Sequence, residues 1–166
     1  MSAIYVSDLS AFGDCNLRRR AAKRRMTIEA MLELTDTLNA ALHAHLGREL
    51  IAYNEALLGG SGVKPLSVMI RDESREPLGG LSGRTSFGWM FVELLFVPAS
   101  LRGTGIGSRI LEMAEAEARA RGCSGVWLDT LNPDARLFYQ KRGYVTFGKL
   151  PDYPGGNSRV FLSKRL

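Results

Sequence analysis

Residues 89–108 read WMFVELLFVPASLRGTGIGS. The first nine, Trp89 to Val97, are apolar except for Glu93, about half the roughly 20 residues a membrane-spanning helix needs. A short, β-rich run of this kind predicts a buried strand. Pro98 ends it, and Gly103, Gly105 and Gly107 punctuate the chain before a helical pattern begins. Glycines at a strand-to-helix junction let the backbone come close to a ligand, and the helix start presents free N–H groups and a partial positive charge. A pyrophosphate is the natural guest. Two familiar phosphate loops fail on spacing. A Walker loop needs Lys after its last glycine, but Ser108 and Arg109 follow Gly107, and the dinucleotide fingerprint needs a sixth-position glycine where Ser108 or Ile110 stands.

Working outward, the helix predicted after the loop runs from about Gly105 to Arg121, with Ile106, Ile110, Met113, Ala114 and Ala118 on one face, and Gly122 ends it. Val126 to Leu131 reads as a short buried strand. Pro133 suits the first position of a helix through Gln140 that Gly143 closes. Strands follow at Tyr144–Leu150 and Ser158–Lys164. Toward the N-terminus, Pro65 opens a strand with Leu66, Val68 and Ile70 on one face, and Leu78–Arg84 reads as a Gly-rich strand. Ahead of these, Leu38, Leu42, Leu46, Leu50, Tyr53 and Leu57 recur at helical steps, with N-cap oxygens at Thr35 and Asp36, a break offered by Gly47 and a stop at Gly59-Gly60. Alternation from Thr27 to Leu34 predicts a further strand. The order β-α-β-β-β-α-β-α-β-β implies a single α/β (α+β) domain with a mixed sheet and helices on both faces.

The chain has 166 residues, 45% hydrophobic and 23% charged, which suits one globular domain with a sizeable core and excludes a disordered tail. Its net charge of +5 invites a nucleic-acid reading, but residues 1–25 hold six basic and two acidic residues while residues 26–166 hold 16 and 15. The excess therefore belongs to a basic N-terminal arm or extension over residues 1–25, and the domain at 26–166 is nearly neutral. A nucleic-acid partner is disfavoured for such a surface. Cys15 and Cys123 cannot make a disulfide framework, which points to a reducing cytoplasmic setting. No apolar leader precedes a small-residue cleavage site, so secretion and membrane insertion are not expected. His43 and His45 lie two apart on a helix and do not share a face, so no metal is expected.

Arg102, Gly105 and Gly107 form Arg-x-x-Gly-x-Gly, and Asn132-Pro-Asp-Ala135-Arg-Leu-Phe138-Tyr139-Gln-Lys-Arg-Gly143-Tyr144 follows one helix and one strand later. The two blocks resemble the acetyl-CoA signature and the Asn-x-x-Ala-x-x-Phe-Tyr-x-x-x-Gly-Phe/Tyr motif of the GNAT superfamily of acyl-CoA-dependent N-acyltransferases. The resemblance implies a mixed, mostly antiparallel sheet that splays between the strand ending at Val97 and the strand starting near Val126. It implies acetyl-CoA as co-substrate, held by the backbone of Leu95, Phe96 and Val97, by Arg102, Gly103, Thr104, Gly105, Ile106, Gly107 and Ser108, and by Asn132 and Tyr139. Ser108 would give its hydroxyl and backbone N–H to a phosphate. Asn132 reads equally as a helix cap.

Acetyl transfer to an amine sets three physical problems. A primary amine has a pKa near about 10, so about one molecule in a thousand is neutral at pH 7. A carboxylate can take the proton directly or through water. Glu93 is the candidate, because a charge inside an apolar strand needs a reason; the alternative is that it faces solvent or pairs with an arginine such as Arg84. Asp129 is a weaker candidate with a structural reading. Charge developing on the thioester oxygen needs a fixed N–H, which the resemblance assigns to the backbone around Leu95 to Val97. The leaving thiolate gains from a proton donor, a role the resemblance gives to Tyr139, although a tyrosine on such a helix also suits packing. Tyr53, Asn54, Phe91, Glu93 and Tyr153 are expected to line the acceptor side. The implied activity is acetylation of a primary amine on a small molecule. Acetylation of a protein or aminoacyl-tRNA is an alternative, as is a non-catalytic module that binds acyl-CoA or nucleic acid. A homodimer, common in the superfamily, is compatible with the pattern.

Overall fold

A computed structural model describes residues 32–37, 39–153 and 155–166, and Asn39–Leu166 form one compact unit. The basic arm and most of the strand expected from Thr27 lie outside the described residues. Its last positions do not form a strand: Leu32 and Leu34 have no regular structure and are almost fully exposed. Alternation yields a strand only where a neighbouring edge and an apolar face receive it.

The unit begins with α1 (Ala40–Leu58), capped by the Asn39 side chain, which accepts from Leu42 N–H at 2.9 Å. The cap is therefore Asn39, not Thr35 or Asp36. The helix passes through Gly47 unbroken; one interior glycine costs about 1 kcal/mol, too little to divide a 19-residue helix. Gly59 ends it at φ +87°, a left-handed conformation that glycine adopts without strain. Three antiparallel strands follow, β1 (Lys64–Arg71), β2 (Pro77–Ser86) and β3 (Trp89–Phe96). Then come a 3₁₀ turn at Ala99–Leu101, α2 (Ile106–Ala120), β4 (Gly125–Thr130), α3 (Pro133–Gln140), β5 (Val145–Pro151) and β6 (Ser158–Arg165). The sheet order is β1-β2-β3-β4-β6-β5, antiparallel except for the parallel pair β3/β4.

The core sits between one face of the sheet and α2, joined by α3. Met90 and Val92 of β3, Val126 and Leu128 of β4 and Leu162 of β6 meet Ile110, Leu111, Ala114 and Ala118 of α2, while Tyr139 and Tyr144 close the α3 end. Tyr144 donates to the buried Glu115 at 3.0 Å, and Lys164 reaches the same carboxylate at 2.6 Å. That pairing satisfies a charge which burial alone would make costly. The opposite face carries an aromatic row. Phe91 stacks on Trp127 with centroids 3.9 Å apart, and Phe147 meets Phe161 at 6.2 Å.

Two irregularities position the site. The β2/β3 register slips between Ser82 and Gly83, so Glu93 is an extra residue bulged out of β3. Gly83 stands against the bulge; a Cβ there would lie 2.2 Å from the Phe91 carbonyl oxygen, which explains why this strand is Gly-rich. The β3/β4 ladder stops at Val92↔Leu128. Beyond it β3 pairs with β2 alone and β4 with β6 alone, so the sheet opens into the expected splay.

Candidate active site

The splay leads into a groove of about 580 Å³ bounded by the end of β3, the Gly loop, the first turn of α2 and the inner face of α3. Leu95, Phe96, Val97, Arg102, Gly103, Gly105, Ile106, Gly107, Ser108, Asn132 and Tyr139 all line it. Thr104 does not: its hydroxyl donates to Leu101 O at 2.8 Å and ties the loop back on itself. Arg102 is similarly committed, its Nε donating to Val97 O at 3.0 Å. Thr104 and Arg102 thus brace the loop by bonds to backbone carbonyls, and Arg102 still lines the groove.

Gly105 caps α2 at φ +86°, and a Cβ built on Gly103 or Gly105 meets nothing within 4 Å. Among the described residues, the N–H groups of Gly105, Ile106 and Gly107 have no backbone partner, whereas Ser108 N–H donates to Gly105 O at 3.0 Å. Three N–H groups at a helix start, with the partial positive charge there, suit a pyrophosphate. The Ser108 N–H is thus occupied within the loop, while Ser108 lines the groove. Its oxygen accepts from Arg142, whose guanidinium also donates to Phe138 O at 2.8 Å.

Across the groove, Asn132, which lines it, caps α3 with its side-chain oxygen by accepting from Asp134 N–H at 2.8 Å. Tyr139 is 6% exposed and wedged edge-on between Phe138 and Tyr144, with centroids 5.2 and 5.6 Å away. Burial first, and the Asp129 carboxylate second, push its phenol up to about 12. It is therefore protonated at any physiological pH.

Glu93 and Asp129 are the first residues beyond the last β3/β4 pair, one on each side of the split. Glu93 forms an ion pair with Arg84, both half-exposed, and Asp129 pairs with Arg159 at 2.6 Å. Arg84 also lies over Phe91, and Arg159 over Tyr153. Arg84 thus joins Glu93 to Phe91 on one side of the split, and Arg159 joins Asp129 to Tyr153 on the other. Tyr53, exposed, and Asn54, buried, belong to α1 and do not line the groove. Among the described residues no three His, Cys, Asp or Glu side chains converge as a metal site, and no helix is long and apolar enough to cross a membrane.

Sequence reasoning passed over two residues here. Arg142 lies in the turn two residues past the end of α3, and nothing in the spacing shows it reaching α2. Trp127 read as one more apolar residue of β4, and its stacking partner emerges only from register.

The sheet split, the Gly-loop helix start and Tyr139 lining the same groove match what the sequence resemblance implies for an acyl-CoA-dependent acyltransferase. The sequence profile of the acetyltransferase (GNAT) family matches residues 28–144. An acetyltransferase of Agrobacterium fabrum is 42% identical over 133 residues, 80% of this chain and 97% of that one. The blasticidin-S acetyltransferase of Streptomyces morookaense is 43% identical over 95 residues, 57% of this chain and 70% of that one. The crystal structure of an Agrobacterium tumefaciens acetyltransferase superposes with a TM-score of 0.80 at 41% identity, covering 82% of this chain and all of that chain. The chain belongs to the GNAT family and is an acetyl-CoA-dependent acetyltransferase.

Proposed function

We propose that this enzyme acetylates a primary amine of a small molecule, with Tyr139 as proton donor and Glu93 handling the amine proton. The observation that carries the reading is the placement of Tyr139 in the same groove as the Gly loop, with Glu93 and Asp129 flanking the mouth of the split. When bound, acetyl-CoA supplies an activated acetyl thioester. The groove suits it: the three free N–H groups of Gly105, Ile106 and Gly107 would hold its phosphates, and the unpaired edge of β3 from Glu93 to Phe96 would receive the arm that carries the acetyl group.

The chain's own groups divide the work. Glu93 and Asp129 are each paired with an arginine, and Arg84 holds Glu93 in one orientation from which it can accept a proton from the amine. Neutralising an amine of pKa about 10 at pH 7 costs about 4 kcal/mol, and a carboxylate acting directly or through water lowers that barrier. Backbone N–H groups at the end of β3 stand ready for negative charge developing on the acyl oxygen. Tyr139 faces the groove with a proton to share with the departing sulfur. Phe91 and Trp127 offer a flat apolar floor beside the carboxylates.

A small acceptor is supported by the relative named for blasticidin-S and by the near-neutral charge of residues 26–166, which gives little to hold a tRNA. The test is thiol release from acetyl-CoA across antibiotics, polyamines, amino acids and peptides bearing primary amines. Turnover confined to peptides or aminoacyl-tRNA would overturn the small-molecule reading.

A further inference from the structure

We infer that Arg142 is the cation of the phosphate site, taking the place that Arg102 holds in the sequence motif. The inference rests on reading the groove as the acetyl-CoA site. Arg102 has its Nε on Val97 O at 3.0 Å and serves the loop. Arg142 instead crosses from the end of α3 to the first turn of α2. Its Nη1 donates to Phe138 O at 2.8 Å, its Nη2 to Ser108 Oγ, and its guanidinium carbon lies 3.6 Å over the Phe138 ring.

The cluster is tight. A Cβ on Gly107 would meet the same Phe138 ring at 3.4 Å, so α3 presses against the turn whose N–H groups are free. Carbonyl, ring and hydroxyl together fix the guanidinium at the wall of the groove. Its Nε is buried and has no partner among the described residues, and no carboxylate there forms an ion pair with Arg142. A carboxylate that lines the groove, Asp134, sits in the first turn of α3. An arginine held in place without a counter-ion is a site awaiting an anion.

Ser108 completes the argument by direction. Because its oxygen accepts from Arg142, its own hydrogen is free to donate outward, which matches a phosphate oxygen and not a cation. The pyrophosphate would then meet the α2 N–H groups, the Ser108 hydroxyl and a guanidinium N–H, with the charge-assisted bond the strongest of the three. The pyrophosphate is the phosphate concerned, since Arg142 touches the residue directly after Gly107.

The test compares donors with and without phosphates. For the wild type, Arg142→Gln and Arg142→Lys, kcat/KM is measured with acetyl-CoA, acetyl-dephospho-CoA and acetyl-pantetheine. Arg142→Gln should cut the preference for acetyl-CoA over acetyl-pantetheine by about 10- to 100-fold, the worth of one charged hydrogen bond. Acetyl-dephospho-CoA, which keeps the pyrophosphate, should lose as much as acetyl-CoA. Arg142→Lys should restore part of the preference as a point charge without the fork. A preference retained in both variants, or a loss confined to acetyl-CoA and absent with acetyl-dephospho-CoA, would overturn the assignment. If the wild type itself shows no preference, the reading of the groove fails first, so the two failures are separable. Should Arg142→Gln not fold, Arg142→Lys decides: a preference that falls with both acetyl-CoA and acetyl-dephospho-CoA supports the assignment, and an unchanged preference overturns it.

Discussion

Tyr139→Phe removes one oxygen and keeps every ring contact. The hydroxyl donates to no protein group among the described residues, and the ring retains its edge-on partners Phe138 and Tyr144. Stability should therefore change by no more than about 1 kcal/mol. The phenol sits at about 12, whereas an ordinary thiol sits at about 8.5. Full transfer to a free thiolate is uphill by about 3.5 pK units, or about 5 kcal/mol. Tyr139 therefore works by hydrogen-bonding the sulfur as charge builds on it, and the proton moves with C–S cleavage rather than before it. General acids of this kind contribute about 10²- to 10⁴-fold, and the uphill transfer favours the lower end. The expected outcome is a kcat near a hundredth of wild type with KM for acetyl-CoA within about twofold. The assay is thiol release at saturating amine from pH 7 to 10.5, over which the wild type should show no falling limb from Tyr139. A variant within threefold of wild type, or one whose acetyl-CoA affinity falls as far as its turnover, would refute the role and leave Tyr139 a packing residue.

Glu93→Gln should fold normally, since a half-exposed pair with Arg84 contributes about 0–1 kcal/mol. Its kcat/KM at pH 7 should fall about 100-fold and recover toward pH 10 as the amine loses its proton unaided; a pH-independent deficit argues against proton handling. Gly105→Ala forces a side chain into φ +86° and should cost about 1–2 kcal/mol in a thermal melt. Gly105→Asp adds an anion as well and should abolish CoA binding in calorimetry, so binding that survives would move the phosphates elsewhere. Burial raises both Tyr139 and Tyr144, the latter also through the Glu115 carboxylate. Stability stored in the neutral phenols is intact below about pH 10 and drains as pH rises through the folded-state values. Tm should be level from pH 7 to 9.5 and drop above 10; a level Tm to pH 11 contradicts it.

The segment from β3 to α3 was legible because its signals are local. Pro133 at the helix start, Asn132 as cap and Gly143 past the end define α3 to the residue, and Gly105 and Gly122 bracket α2 nearly as closely. The bulge at Glu93 was not legible. Both faces of β3 are apolar, so the alternation that would have shown an extra residue is hidden, and Gly83 revealed its purpose only once opposed to Phe91. The pairing of Glu93 with Arg84, one of the readings the sequence offered, is present in the structure, where the bulge sets the two side by side. Leu32 and Leu34 show the reverse error, a local alternation without a tertiary receiver.

The split in the sheet also gives the molecule an internal edge. Past Val92, the side of β3 that would meet β4 carries unpaired N–H and C=O groups, and such a row ordinarily invites another chain. Recessed between two strands, it has room for a single thin ligand with amides of its own, and on the proposed reading the arm of CoA would add to β3 as a short strand does. At a hundredfold excess over Kd the cofactor would add about 2.7 kcal/mol to stability. Purification and storage in the presence of CoA should therefore raise the melting temperature of this protein.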